Sequence, residues 1–157
     1  MVLWFNYGDP MSIHALACAA NELYHGIGRG KGMPTLIQTW KKSLKGKERA
    51  LANKSQNFAK HANTDPNGAD ILLTEYAELL MLDSIMCHEK MFQNRTPLMT
   101  CFFARFAFEN PRLTEHINLA RRKEGREDIV IDQSIETDRV KFLNRELPAL
   151  IAAIAAS

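Results

Sequence analysis

The chain has 157 residues and a mass of 17.8 kDa, a length that fits one domain spanning 1–157. Hydrophobic residues make up 46% and charged residues 24%, which is ordinary globular usage. Eight glycines and six prolines are too few for a collagen, mucin or linker-rich chain, and a formal net charge of +2 demands no polyanionic partner.

Three cysteines, none in a CxxC pair, argue against a disulfide framework and for a reducing, cytoplasmic compartment. The opening MVLWFNYGDP has no basic stretch followed by a long apolar run, so no secretory signal is expected. The longest apolar tract, Leu147 to Ala156, is too short for a bilayer and contains Pro148. No membrane partner is expected.

Apolar residues follow helical spacing nearly throughout. Asp9 before Pro10 is a start signal, a capping carboxylate followed by proline at the first helical position. Behind it Ile13, Leu16, Ala17, Ala20, Leu23, Tyr24 and Ile27 form one apolar stripe, predicted to face the core. Gly26 and Gly28 are expected to end this helix, leaving Gly26 to Gly32 as a mobile connection. That glycine run matches neither of the phosphate-loop patterns GxGxxG and GxxxxGK[ST].

A second helix is predicted from after Pro34 to Lys45. A third covers Lys47 to Asn63, burying Leu51, Phe58 and Ala62, and a long fourth covers Ala69 to Gln93. The fourth offers Leu72, Tyr76, Leu79, Leu80, Ile85 and Met86 to the core. Pro97 to Glu109 and Pro111 to Glu124 read as two shorter helices. The last runs from Thr137 to Ala155 with Val140, Leu143, Leu147, Leu150 and Ile154 on one side, and Pro148 is expected to bend or split it. Ile129 to Ile131 alone resembles a strand, too little for a sheet. The fold class is all-α, a bundle of six to seven helices.

Four metal-ligand types share a second stripe on the first helix. His14, Cys18, Glu22 and His25 are spaced 4, 4 and 3, within roughly 80° of one another. Glu22-x-x-His25 matches the inward-facing unit of di-iron bundles. No second Glu-x-x-His exists to complete such a site, and His14 and His25 stand roughly 16 Å apart along the axis. The stripe reads as structural or solvated, a metal centre on Glu22 and His25 is the weaker alternative, and no cofactor is expected. Cys87 and Cys101, in apolar helices, read as buried thiols.

Lys41 to Lys60 carries seven cations (Lys41, Lys42, Lys45, Lys47, Arg49, Lys54 and Lys60) against Glu48. Such a run can follow a phosphate backbone. It has little for bases to stack on, since only Trp40 and Phe58 are near, so a solvated basic face is expected, with RNA contact at most weak. Phe102, Phe103, Phe106 and Phe108 cover more than one face of their helix, which predicts deep burial or a subunit interface.

Two stretches carry a resemblance. Asp9-Pro-Met-Ser-Ile-His14 and Asn57-Phe-Ala-Lys-His-Ala-Asn-Thr-Asp-Pro66 resemble a group of small uncharacterised bacterial helical proteins, with a DPxSxH opening and a later NFxKHAxxDP. The resemblance implies an all-helical fold and no particular activity. Gln56-Asn57-Phe-Ala-Lys-His61 is also similar to the HEPN superfamily, helical dimers that include ribonucleases. Asn57 and His61 match its signature and Gln56 replaces its arginine. That similarity implies an RNA-binding or ribonuclease alternative with His61, Asn57 and Lys54 at the site and Lys60 beside them; without the arginine the phosphate loses its fixed cation. The leading expectation is a helical protein that acts by binding or assembly as a homodimer or with a protein partner, without catalysis.

Overall fold

A computed structural model describes residues 1–61, 74–123, 125, 127–129 and 136–156, without the side chains of 55–61, 74 and 120. Every regular element among the described residues is a helix, and eight are present. They fall into two compact units, Met1–Arg95 and Thr96–Ser157.

The first unit holds α1 (Val2–Phe5), α2 (Pro10–Gly30), α3 (Leu36–Ser43), α4 (Gly46–His61) and α5 (Thr74–Phe92). α2 and α5 form its main packed pair, with α1, α3 and α4 added around α2. The start of α2 follows the sequence signal. Asp9 accepts a 2.7 Å hydrogen bond from the Ser12 N–H and Pro10 occupies the first turn; hydrogen bonding with the Ser12 side chain, then with its N–H, holds the Asp9 carboxyl below the usual range. The end does not, because the helix runs on through Gly26 and Gly28 to Gly30. The turn is made instead by Gly32 at φ +72°.

Helical glycine survives here because the chain folds back tightly on Gly28. A methyl group there would lie 2.1 Å from the Met33 carbonyl and 3.0 Å from the Cys87 sulfur. Met33 N–H closes the turn onto the Gly28 carbonyl at 2.7 Å. The glycine run therefore serves a close approach of backbone to helix, and the expected mobile connection is largely helical.

The core of this unit comes from Trp4 and Phe5 of α1 and from Ala77, Leu80, Met81, Leu82 and Ile85 of α5. Leu80 and Ile85 are fully buried as expected, and each such side chain contributes roughly 1.5–3 kcal/mol. Leu79 and Leu51 depart from expectation, since both are exposed. Phe58, Ala62 and Leu72 lie outside the described side chains.

The second unit holds α6 (Pro97–Glu109), α7 (Pro111–Lys123) and α8 (Arg139–Ala155). Thr96 caps α6 by accepting from Met99 N–H at 3.3 Å, and Asp138 caps α8 by accepting from Lys141 N–H at 2.9 Å. Phe102, Phe103 and Phe106 are buried, as are Met99, Phe142 and Leu143, and Phe108 is half-buried. Pro148 does not split α8, which continues as one helix to Ala155, and Ile154 is exposed. Ile129 lies in irregular chain, hydrogen-bonded to Asn118; Val130 and Ile131 are outside the described residues.

Arg105 ties this unit together. It is buried, donates to the Glu136 and Thr137 carbonyls at the entrance to α8, and pairs with Glu109, which also receives Arg139 at 2.5 Å. Burial pushes the Glu109 carboxyl up, but the hydrogen bonds from Arg139 and Arg105 outweigh it and hold the group below its ordinary range.

Candidate functional site

α2 is turned part-way from its apolar pattern: of the predicted stripe Ala17 is buried, Ile13, Ala20 and Tyr24 are half-buried, and the remaining three face out. His14, Ala17, Cys18, Asn21 and Gly28 point inward and are buried. Leu16, Leu23 and Ile27 point outward, 61%, 63% and 42% exposed. The reason lies in the polar groups that meet the inward face. Asn21 donates to the Asp83 carboxylate at 3.1 Å and accepts from the Gln38 amide at 3.2 Å. Asp83, on α5, in turn accepts from the N–H groups of Leu36 at 2.8 Å and Ile37 at 2.9 Å, the otherwise orphaned donors at the start of α3. One buried carboxylate thus joins α2, α3 and α5.

A second polar group lies along the same inward face. The His14 Nε2 is 3.4 Å from the Cys18 sulfur, and the His14 ring lies 6.0 Å from the ring of Tyr76 on α5. Lys41 is 3% exposed, with its ammonium 5.4 Å from the centre of the Tyr76 ring. Burial raises the Tyr76 phenol above its ordinary value, and Cys18 and Asp83 add to the shift. Its hydroxyl has no hydrogen-bond partner among the described residues.

The stripe of metal-ligand types is therefore divided. His14 and Cys18 are internal, Glu22 is exposed, and His25 is half-buried with both nitrogens engaged. Lysine can only donate, so the His25 Nε2 accepts from Lys42 at 2.9 Å, and Nδ1–H donates to the Thr35 hydroxyl at 3.2 Å. Burial, then the Lys42 charge, lowers the His25 pKa. Among the described residues no three His, Cys, Asp or Glu side chains are grouped to hold an ion.

The basic run is divided as well. Lys42, Lys45, Lys47, Arg49 and Lys54 are exposed, whereas Lys41 is internal. Trp40 is exposed beside them. The backbone of α4 is helical through Asn57 and His61, which places these two residues, four apart, on one face of that helix. The side chains of Gln56, Asn57, Lys60 and His61 lie outside the described residues.

All three cysteines are buried and none is in a disulfide. Burial raises the Cys87 thiol, with the Asp83 charge adding to it. In the second unit, Cys101 lines a cleft of about 230 Å³ between α6 and α8. Burial, reinforced by Glu146, pushes its thiol up to about 11, so it is a poor nucleophile at neutral pH.

Sequence reasoning missed Asn21, Asp83 and Lys41 as internal residues. The signal available was Asn21 in the middle of an otherwise apolar helix, where a polar amide with an internal partner sets which face turns inward.

No family model, curated protein or solved structure matches the chain. No described helix is long and apolar enough to cross a membrane.

Proposed function

We propose that this protein acts by binding and assembly, without chemistry of its own. The observation that carries the reading is the outward side of α2. The helix turns His14 and Asn21 inward and leaves Leu16, Leu23 and Ile27 exposed along one side, and exposed large apolar residues grouped on a small domain mark an interaction surface. Of the α6 phenylalanines, Phe102, Phe103 and Phe106 are buried and Phe108 is half-buried. Among the described side chains, Asp83 holds α3, His25 is engaged by Thr35 and Lys42, and burial raises the Cys87 and Cys101 thiols.

The test is the mass in solution. Light scattering on the purified chain at tens of micromolar is expected to give about twice the 17.8 kDa chain mass. A monomer across that range defeats the reading of self-assembly. An RNA-directed reading draws support from the exposed Lys42, Lys45, Lys47, Arg49 and Lys54 beside Trp40. Cleavage of single-stranded RNA that vanishes in His61→Ala would replace the binding reading with that one.

A further inference from the structure

We infer that the outward face of α2 is the seam on which a second copy of this chain docks. The inference rests on the assembly reading above and names its partner and its residues. At about 100° per residue, Leu16, Leu23 and Ile27 fall within an arc of about 40°. Ser12, Ala19 and Gly26, each seven residues apart, form a parallel strip of small side chains roughly 60° away on the same exposed face. With the half-buried Ile13 and Ala20 at its edge, Leu16, Leu23 and Ile27 follow 3-4-3-4 spacing through positions 13, 16, 20, 23 and 27, the period of a two-helix seam.

Such a face suits a copy of itself. The small strip lets two backbones come close, and the leucines fill the space beside it, as knobs entering holes. Charge agrees with this choice of partner. The exposed ionisable residues of α2 are Glu22 and Arg29, of opposite sign and both at one flank of the face. Two copies therefore meet across a neutral strip. A nucleic acid or an acidic peptide would find no cationic field there.

Size sets the expected strength. From Ser12 to Ile27 the strip is about 24 Å long and roughly 10 Å wide, or about 240 Å², well short of the ~800 Å² per partner of a standard stable interface. The dimer is therefore weak and concentration-dependent.

The experiment compares wild type, Leu16→Glu, Leu23→Glu and Leu51→Glu by sedimentation velocity over a dilution series, with circular dichroism to confirm unchanged helix content. All three positions are exposed, Leu51 the most so at 73% and on α4, so none should unfold the chain. Wild type and Leu51→Glu are expected to dimerise alike. Each α2 variant is expected to weaken dimerisation at least a hundredfold, because two leucines per dimer lose their burial and two carboxylates take their place. A monomeric wild type defeats both this inference and the assembly reading. A dimer that survives in Leu16→Glu and Leu23→Glu, or is lost in Leu51→Glu, leaves assembly standing and overturns the α2 seam.

Discussion

The buried Asp83 carboxylate offers the sharpest test of how the first unit is held. It receives Leu36 N–H at 2.8 Å, Ile37 N–H at 2.9 Å and the Asn21 amide at 3.1 Å. Asp83→Ala leaves all three donors without that acceptor. Hydrogen bonds to a charged group are worth roughly 1.5–3 kcal/mol each, so three give an upper bound of roughly 4.5–9 kcal/mol. Two corrections reduce this figure. Leu36 is exposed, so water can replace part of its bond, and the variant no longer buries a carboxylate. A net loss of about 3 kcal/mol remains, which includes the usual ~1 kcal/mol of a lost helix cap. Urea unfolding followed by circular dichroism measures it, and hydrogen exchange at the Leu36 and Ile37 amides locates it. A loss below about 1 kcal/mol, with both amides still protected, would refute the argument that Asp83 fastens α3 to α2 and α5.

Gly28→Ala and Gly26→Ala should move stability in opposite directions. The first drives a methyl group into the Met33 carbonyl and is expected to cost about 2 kcal/mol or more. The second meets nothing within 4 Å and should gain up to ~1 kcal/mol from helix propensity; thermal melts of both variants check the contrast. In the second unit, the lowered Glu109 pKa makes stability depend on acid. A carboxyl held below its unfolded value of about 4.3 contributes fully above that pH, and the contribution disappears as pH falls through the lowered folded value. Glu109→Gln is expected to be less stable at neutral pH and to show a shallower loss between about pH 5 and pH 3, measured by urea midpoints at each pH.

Local signals in this chain were legible because the chemistry that causes them is local. Asp9-Pro10 announces α2, and Pro97 and Pro111 each open a helix where they stand in the sequence. Facing was not legible. The spacing of Leu16, Leu23 and Ile27 reports that they share a side of α2, and says nothing of which way that side turns. The direction depends on Asp83, 62 residues beyond Asn21, and on the start of α3. Gly28 is similar: its sequence context suggests a flexible link, and only the returning Met33 carbonyl shows why a side chain is excluded. Lys41 was read with its cationic neighbours, but α3 turns it under Tyr76 while Trp40 and Leu36 point to water. Asn57 and His61 remain legible only as positions on α4.

The inward facing of Asn21 and the exposure of the α2 leucines have one physical origin. A helix with two competing stripes can bury only one of them. Burying Leu16, Leu23 and Ile27 inside the monomer would turn Asn21 away from Asp83, removing one of that carboxylate's three donors and the acceptor of the Gln38 amide. A buried polar group stripped of its bond costs roughly 1–3 kcal/mol, more when charged, whereas an exposed leucine forgoes at most the roughly 1.5–3 kcal/mol of full burial. Near-equality at the level of one residue becomes a clear preference when the polar side joins three helices at a single carboxylate. The monomer therefore keeps its polar joint, and the leucines are left to be covered from outside. A second α2 can supply that cover without disturbing Asp83. On this logic Asp83→Ala and Leu16→Glu act on opposite faces of one helix. The first should lower stability at every concentration, and the second should lower it only where the dimer is populated.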